Sequence, residues 1–316
     1  MAQPLEFEKP LVELENKVQE LKTFSEQKGL DLTEEIATLE KKSHSLKEAI
    51  FGNLTPWQKT QIARHPERPN YYDYIQLLFE DFIELHGDRA FAEDRAIAGG
   101  VAFFKGIPVT IIGNVKGRDT KENLRRNFAQ AHPEGYRKAL RLMKQAEKFG
   151  RPVITLIDTP GAYSGLTAEE RGQAGAIAQN LLAMSGLRVP VISVVIGEGG
   201  SGGALALGMG NKVLMLEHSF YSVITPESCA TILWKDSTKA IEAAEALKYT
   251  AQDLLRLEVI DEIIAEPLGG AHRNRSETAA KLGEVLERYL LELRELSAQQ
   301  LLQQRYDKFR KMGVLA

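Results

Sequence analysis

A chain of 316 residues, 43% of them hydrophobic, is long enough to bury one large core and still carry extensions. Its formal net charge of −3 gives no general attraction to nucleic acid or to an anionic membrane, and no apolar run reaches the ~18 residues of a membrane span. One cysteine, Cys229, excludes an internal disulfide and any zinc ribbon or iron–sulfur cluster made by this chain alone; we read it as a packed thiol. Glu6 and Glu8 stand where a signal peptide needs an apolar run and a transit peptide avoids acids, so the expected location is the cytoplasm.

Residues 9–50 read as two short helices. Leu11, Leu14, Val18 and Leu21 recur at helical spacing, and Ile36, Leu39, Leu46 and Ile50 repeat the pattern after Gly29. So narrow a seam suits a helix pair that either folds back on its own domain or docks on a partner. Pro56, Pro66 and Pro69 punctuate a connector too apolar, with Trp57 and Ile62, to be a free linker. The core begins near Tyr71. Ile97 to Phe104 and Pro108 to Val115 read as a hairpin joined at Lys105-Gly106. A helix follows Pro133 and ends at Gly150; Pro152 to Ile157 is a strand buried on both faces. A second helix begins near Thr167. Val189 to Ile196 is another buried strand, and it runs into Gly197-Glu198-Gly199-Gly200-Ser201-Gly202-Gly203 before a helical Ala204 to Leu207. Lys212 to Leu216 and Tyr221 to Ile224 are further strands, and 276–311 reads as one long polar helix with an apolar side. Strands alternating with helices mean an α/β fold, with a strand–turn–helix unit repeated at 152–180 and 189–208. The expected division is a helical extension over 1–70, a domain over 71–275 and a C-terminal helix over 276–316.

Five of the seven residues from Gly197 to Gly203 are glycine. Between a strand and a helix, such a run lets a ligand approach free N–H groups at the helix start. The plain alternative is tight helix–sheet packing with no ligand. A phosphate-binding P-loop would need a lysine after the glycines, and none follows. Asp158-Thr159-Pro160-Gly161 resembles a GTPase turn, yet nothing upstream supplies the phosphate loop. Gly199-Gly200-Ser201-Gly202-Gly203 also satisfies the G-x-S-x-G elbow of serine hydrolases, with Ser201 as nucleophile and His218 or His272 as base. The third reading is an oxyanion hole made of backbone amides.

Six blocks favour the third reading: Lys116 to Lys121, Pro133 to Lys138, Asp158 to Tyr163, Ala168 to Gln173, Ile196 to Ala204 and Glu266 to Asn274. In order and with few gaps, they resemble the carboxyltransferase α subunits of multi-subunit acetyl-CoA carboxylases. Ser164 and Ser228 depart from that pattern, where proline and glycine are expected. The resemblance implies a crotonase (ClpP-like) spiral of ββα units. It implies transfer of the carboxyl group from carboxybiotin, held on a biotin carboxyl carrier protein, to acetyl-CoA, giving malonyl-CoA. It further implies a β subunit that carries the zinc, an α2β2 assembly, a biotin carboxylase, and no cofactor covalently bound to this chain.

By the same analogy Gly202 and Gly203 form the oxyanion hole, with Ala204 replacing Gly202 if the register shifts by one, and Gly199 and Gly200 shaping it. On that reading valine at 203 cuts transfer and leaves assembly intact. Gly161 and Tyr163 line the biotin pocket or simply make the turn. Lys116 and Arg118, with Lys121, Arg125 and Arg126, meet coenzyme A phosphates or a carboxylate, or form a solvated helix face. Glu198 serves as an acid or as helix-start polarity. The alternatives are an acyl-CoA hydratase or isomerase of the same fold, a non-catalytic assembly subunit, and the serine hydrolase.

Overall fold

The computed structural model describes residues 4–313. One sheet organises the molecule. Its strands are β1 (Glu80–Glu84), β2 (Ile97–Phe104), β3 (Ile107–Asn114), β4 (Val153–Thr159), β5 (Val191–Gly200), β6 (Lys212–Leu216), β7 (Phe220–Ser222) and β8 (Glu262–Ile264). The order is β1-β2-β3-β4-β5-β6-β8, antiparallel up to β3 and parallel thereafter. At the hairpin between β2 and β3, Lys105 and Gly106 both have positive φ, 48° and 76°, the conformation of a type I′ turn that matches strand twist. β5 forks. Ile192 to Val195 pair with β6, while Glu198 to Gly200 leave it and pair with β7.

Helices cover both faces. In chain order they are α1 (Lys9–Lys28), α2 (Thr33–Phe51), α3 (Pro56–Ala63), α4 (Tyr71–Leu78), α5 (Thr120–Arg125), α6 (Pro133–Lys148), α7 (Leu166–Glu170), α8 (Gln173–Gly186), α9 (Ser201–Leu205), α10 (Pro226–Trp234), α11 (Ala240–Leu247), α12 (Ala251–Arg256), α13 (Arg275–Arg294) and α14 (Ala298–Lys311). Side chains alternate across each strand. Ile111, Ile154, Ile192 and Val194 point to a core shared with Tyr71 and Tyr74 of α4 and Leu282, Leu286 and Leu290 of α13. Ile112, Val153, Val191 and Val195 point to the other core, with Tyr136 and Leu142 of α6 and Met184 of α8. Burial on both faces explains the uninterrupted apolar runs of β4 and β5.

Four details differ from the expectation. The helix expected from Thr167 is two, α7 and α8, broken at Gly172 with φ 80°. The strand expected to end at Ile196 continues through Gly200, because β7 supplies the pairing. The strand expected over 221–224 is the shorter β7, one residue earlier. The single helix over 276–311 is α13 and α14, and Ser297 caps the second with a reciprocal Gln300 bond. The N-terminal pair lies against the body through Leu11, Phe51 and Ile62, and Arg273 reaches Glu15 at 3.2 Å. Among the described residues no helix is long and apolar enough to cross a membrane.

A buried pair ties the connector to the end of the sheet. Arg68 donates to Glu266 at 2.6 and 3.0 Å and to the Ile196 carbonyl at 2.7 Å; Glu266 also accepts from the His218 and Ala271 amides. Burial pushes the Glu266 carboxyl up, but Arg68, His218 and these hydrogen bonds outweigh it and hold it at about 2. A depressed pKa gives stability that is present above about 4.5 and lost as pH falls toward 2. Glu266→Gln strands a buried guanidinium, with an expected loss of about 3–5 kcal/mol at neutral pH. Denaturant unfolding at pH 7 and at pH 3 reads both effects; an unchanged difference between the two pH values would contradict the assignment.

Candidate functional site

The carboxyl ends of β4 and β5 lie side by side, and the turns that leave them interlock. After β4, Thr159 accepts the Gly161 amide at 3.1 Å and donates to the Ala129 carbonyl at 2.6 Å, fixing Pro160 and Gly161. After β5 the chain turns at Ser201, whose φ of 50° is uncommon for a residue with a side chain, and enters α9. The amides of Ser201, Gly202, Gly203 and Ala204 have no acceptor within that helix.

The glycines of the run separate into two kinds. A Cβ at Gly200 would lie 2.1 Å from the Pro160 carbonyl oxygen, one at Gly203 2.5 Å from the Gly161 carbonyl carbon, and one at Gly197 2.6 Å from Asp158 Oδ1. Packing of one turn on the other demands these three glycines whatever binds there. Valine at 203 therefore disturbs the fold itself, which corrects the expectation that assembly would survive it. Gly199 is tight as well, 2.9 Å from the Phe220 carbonyl oxygen. Gly202 differs, since a Cβ there would meet only Ile177 Cδ1 at 3.5 Å, an ordinary contact. Gly203 and Ala204 are buried and Gly202 half-buried, so the Gly202 amide is the more approachable.

Beside Gly202 lies an apolar cavity of about 330 Å³. Its lining includes Ser201, Gly202 and Ser222 and, for the most part, apolar groups such as those of Leu205, Val213, Tyr221, Leu254 and Val259. Gly161 and Tyr163 do not line it. Tyr163 instead packs on His132, with ring centroids 4.5 Å apart, and its carbonyl accepts from Gln173 at 2.7 Å.

Next to the turns runs a buried ion network. Lys116 Nζ lies 2.7 Å from Asp158 and 3.0 Å from Glu198. Arg64 holds the other Glu198 oxygen at 2.8 Å and Glu227 at 2.5 Å. Glu198 also takes its place through its own amide, which donates to Asp158 at 2.8 Å. Burial disfavours the Lys116 ammonium, but Asp158 and Glu198 outweigh it and raise its pKa. Burial disfavours the Glu198 carboxylate, and Lys116 and Arg64 outweigh it and lower its pKa. A carboxylate clamped between two cations is a poor general acid, which removes the main support for a hydratase or isomerase.

The basic run of 116–126 is not one surface. Lys116 belongs to the network; Arg118 pairs with Asp73; Arg126 pairs with Glu122 at 2.9 Å and lies over the Tyr72 ring. Lys121 and Arg125 are exposed.

The His218 amide bonds Glu266, and the His272 ring stacks on His65 at 3.9 Å. Neither makes a hydrogen bond to Ser201 among the described residues. Ligand atoms of Glu8, His65 and His272 come within 4.8 Å of one another. The donor set does not suit a cation. His65 Nδ1 already accepts the Glu67 amide, the near-parallel rings cannot converge on one ion, and Arg273 stands 3.5 Å from Glu8. Burial and the neighbouring His272 push His65 down to about 4, which leaves it neutral.

Sequence reasoning missed Arg64 and the pairing role of Asp158. Their partners come from distant segments, and only the consecutive Arg64-His65-Pro66 in an apolar connector hinted at a buried cation.

A spiral of strands and helices carrying a strand-to-helix turn with free amides is the architecture of crotonase-fold carboxyltransferases. Solved structures agree on the fold. The transcarboxylase 12S hexamer core superposes with a TM-score of 0.57 at 20% identity, over 72% of this chain and 44% of that one. A Pseudomonas malonate decarboxylase hetero-tetramer in complex with coenzyme A gives 0.56 at 17%, over 67% of this chain and 85% of that one. The family described as "Acetyl co-enzyme A carboxylase carboxyltransferase-like" matches residues 4–313. The acetyl-coenzyme A carboxylase carboxyl transferase subunit alpha of Desulfitobacterium hafniense (strain DSM 10664 / DCB-2) is 62% identical over 313 residues, 99% of this chain and 98% of its own. The subunit of the same name from Halalkalibacterium halodurans is 59% identical, over 99% of this chain and 96% of its own. The chain belongs to the family of acetyl-CoA carboxylase carboxyltransferase α subunits.

Proposed function

We propose that this chain, with a β partner, moves the carboxyl group of carboxybiotin to acetyl-CoA, and that the amides starting α9 serve the biotin side. When the N–CO2 bond breaks, its electron pair stays on the biotin ring and negative charge collects on the ureido oxygen. That nitrogen then takes a proton from the acetyl methyl group, and the resulting enolate captures the carbon dioxide to give malonyl-CoA, for fatty-acid synthesis. Fixed donors aimed at the ureido oxygen stabilise this charge without reorganising. The carrying observation is the pairing of the half-buried Gly202 amide with an adjoining apolar cavity. Gly203 and Ala204 supply the deeper amides, Gly199 and Gly200 hold the turn, and Gly161 supports Gly203 from below. Tyr163 is assigned to the turn, and Lys116 to positioning of β4 and β5. Arg118, paired with Asp73, stands outside the site; Lys121 and Arg125 stay free for coenzyme A phosphates.

The acetyl-CoA half of the site and the zinc are assigned to the β partner, and the carboxybiotin to a carrier protein charged by a biotin carboxylase, in an α2β2 assembly in the cytoplasm. Residues 71–275 form the carboxyltransferase unit, with 1–70 and 276–316 as helical additions; residues 1–3 and 314–316 lie outside the described residues. Val223, which lines the cavity, and Ile232, Leu233 and Ile241 of α10 and α11, between 53% and 79% accessible, are the exposed apolar residues assigned to the β partner.

Ser201→Ala separates this reading from the hydrolase. Amides catalyse without the hydroxyl, so the reconstituted complex is expected to keep transfer within about threefold of the parent, whereas loss of a true nucleophile costs at least ~10⁴-fold. Transfer of carboxyl from malonyl-CoA to biotin is the measurement, and labelling of Ser201 by a fluorophosphonate would reverse the conclusion.

A further inference from the structure

The cavity beside Gly202 has a wall that the glycine turn does not explain. Phe309 and Met312, at the end of α14, line it together with Leu205 and Val213. We propose that these two side chains determine the affinity of the enzyme for its carboxyl donor, by packing on the hydrocarbon and thioether body of biotin. The inference rests on the reading above and adds the residues that set donor affinity.

Chemistry selects the occupant. The cavity is almost wholly apolar, and Ser201, Gly202 and Ser222 are among the few lining residues that bring polar groups to it. An acetyl group is too small to fill about 330 Å³, and a coenzyme A phosphate would lose its hydration there. A fused thioether ring with an alkyl tether meets both demands. Its apolar body lies in the cavity and its ureido oxygen at the amides.

The position of α14 is fixed by an unusual anchor. The Arg305 guanidinium is buried and donates to the Met184 carbonyl at 2.7 Å, the Leu187 carbonyl at 2.9 Å and the Asn211 side chain at 2.5 Å. Burial pulls its pKa down to about 10, so it remains a cation at neutral pH, capping the carboxyl end of α8. Lys308 adds an ion pair with Asp261. Leu301, Arg305 and Phe309 are four residues apart, with Met312 three further, so anchor and wall share one helix face. The same helix α8 that Arg305 caps carries Ile177, which packs on the Gly202 position. The cavity wall and the amide turn are thereby referenced to one element.

The test uses the complex with its β partner and measures carboxyl transfer from malonyl-CoA to free biotin. Phe309→Ala is expected to raise KM for biotin about tenfold or more. KM for malonyl-CoA and kcat should stay within about twofold. Tyr306→Ala, on the exposed face of the same helix, is expected to change neither. Melting temperatures are recorded for both variants. If Phe309→Ala does not fold, Phe309→Leu makes the same comparison, with about a threefold rise in KM for biotin expected. An unchanged KM for biotin overturns the proposal. So does a rise in KM for malonyl-CoA alone, which would give the cavity to the thioester, or a uniform loss of activity that tracks melting temperature. A parent complex that transfers nothing to biotin fails the functional reading itself, and the proposal falls with it.

Discussion

Alanine at 203 is expected to abolish carboxyl transfer by breaking the turn, while alanine at the adjacent position 202 leaves a folded complex with most of its activity. The two substitutions are chemically identical, and both keep the backbone amide. They differ in what the new methyl group meets. At 203 it would lie 2.5 Å from the Gly161 carbonyl carbon and 2.6 Å from the Ala162 nitrogen, backbone atoms that cannot rotate away. Overpacking of this kind costs about 1–3 kcal/mol or more, and here it forces apart the two turns that define the site. At 202 the nearest atom is the end of the Ile177 side chain at 3.5 Å, and alanine favours helix by about 1 kcal/mol over glycine. Thermal unfolding and transfer rate, measured on both variants in the complex, decide the matter. Equal damage at 202 and 203 would mean that the run is needed for something other than the interlocking of turns.

This distinction was out of reach of the sequence. Gly197 through Gly203 read as one flexible turn, because glycine carries no side-chain alternation to mark a strand. The pairing of Glu198–Gly200 with Phe220–Ser222 makes the first part of the run a strand, and that pairing is tertiary. By contrast, the hairpin at Lys105-Gly106 was legible, since only a two-residue turn fits between two apolar runs there. The break between α13 and α14 was also written, in Ser297 and Gln300 three residues apart, but the continuing polar pattern hid it. Lys116 shows the opposite limit. In sequence it heads a basic run, and in space its carboxylate partners come from the ends of β4 and β5. Arg305 reads as one charge on a solvated face and is instead a buried helix cap. Charge patterns reveal composition, and the partner that decides a charge's role often lies on another element.

The isolated chain is expected to show no carboxyl transfer, with activity appearing only when a β subunit is added. The reaction develops two enolate-like charges, one on the biotin ureido oxygen and one on the thioester carbonyl of acetyl-CoA. Each needs its own fixed donors, and loss of one donor alone typically costs 10²–10³-fold. Among the described residues, the strand-to-helix turn at Ser201–Ala204 is the one we assign to this task. The repeated unit after β4 ends differently: Thr159 accepts the Gly161 amide and the Tyr163 amide donates to the Ala131 carbonyl, so neither of these amides is open. Ile232 and Leu233 on α10 and Ile241 on α11 are left exposed, apolar surface of the kind a partner subunit covers. Purified alone, the chain should decarboxylate malonyl-CoA at the background rate, with or without biotin. Titration with the β subunit should restore turnover and saturate at one β per α. Substantial turnover by the chain alone would place both oxyanion sites on this subunit and end the shared-site reading.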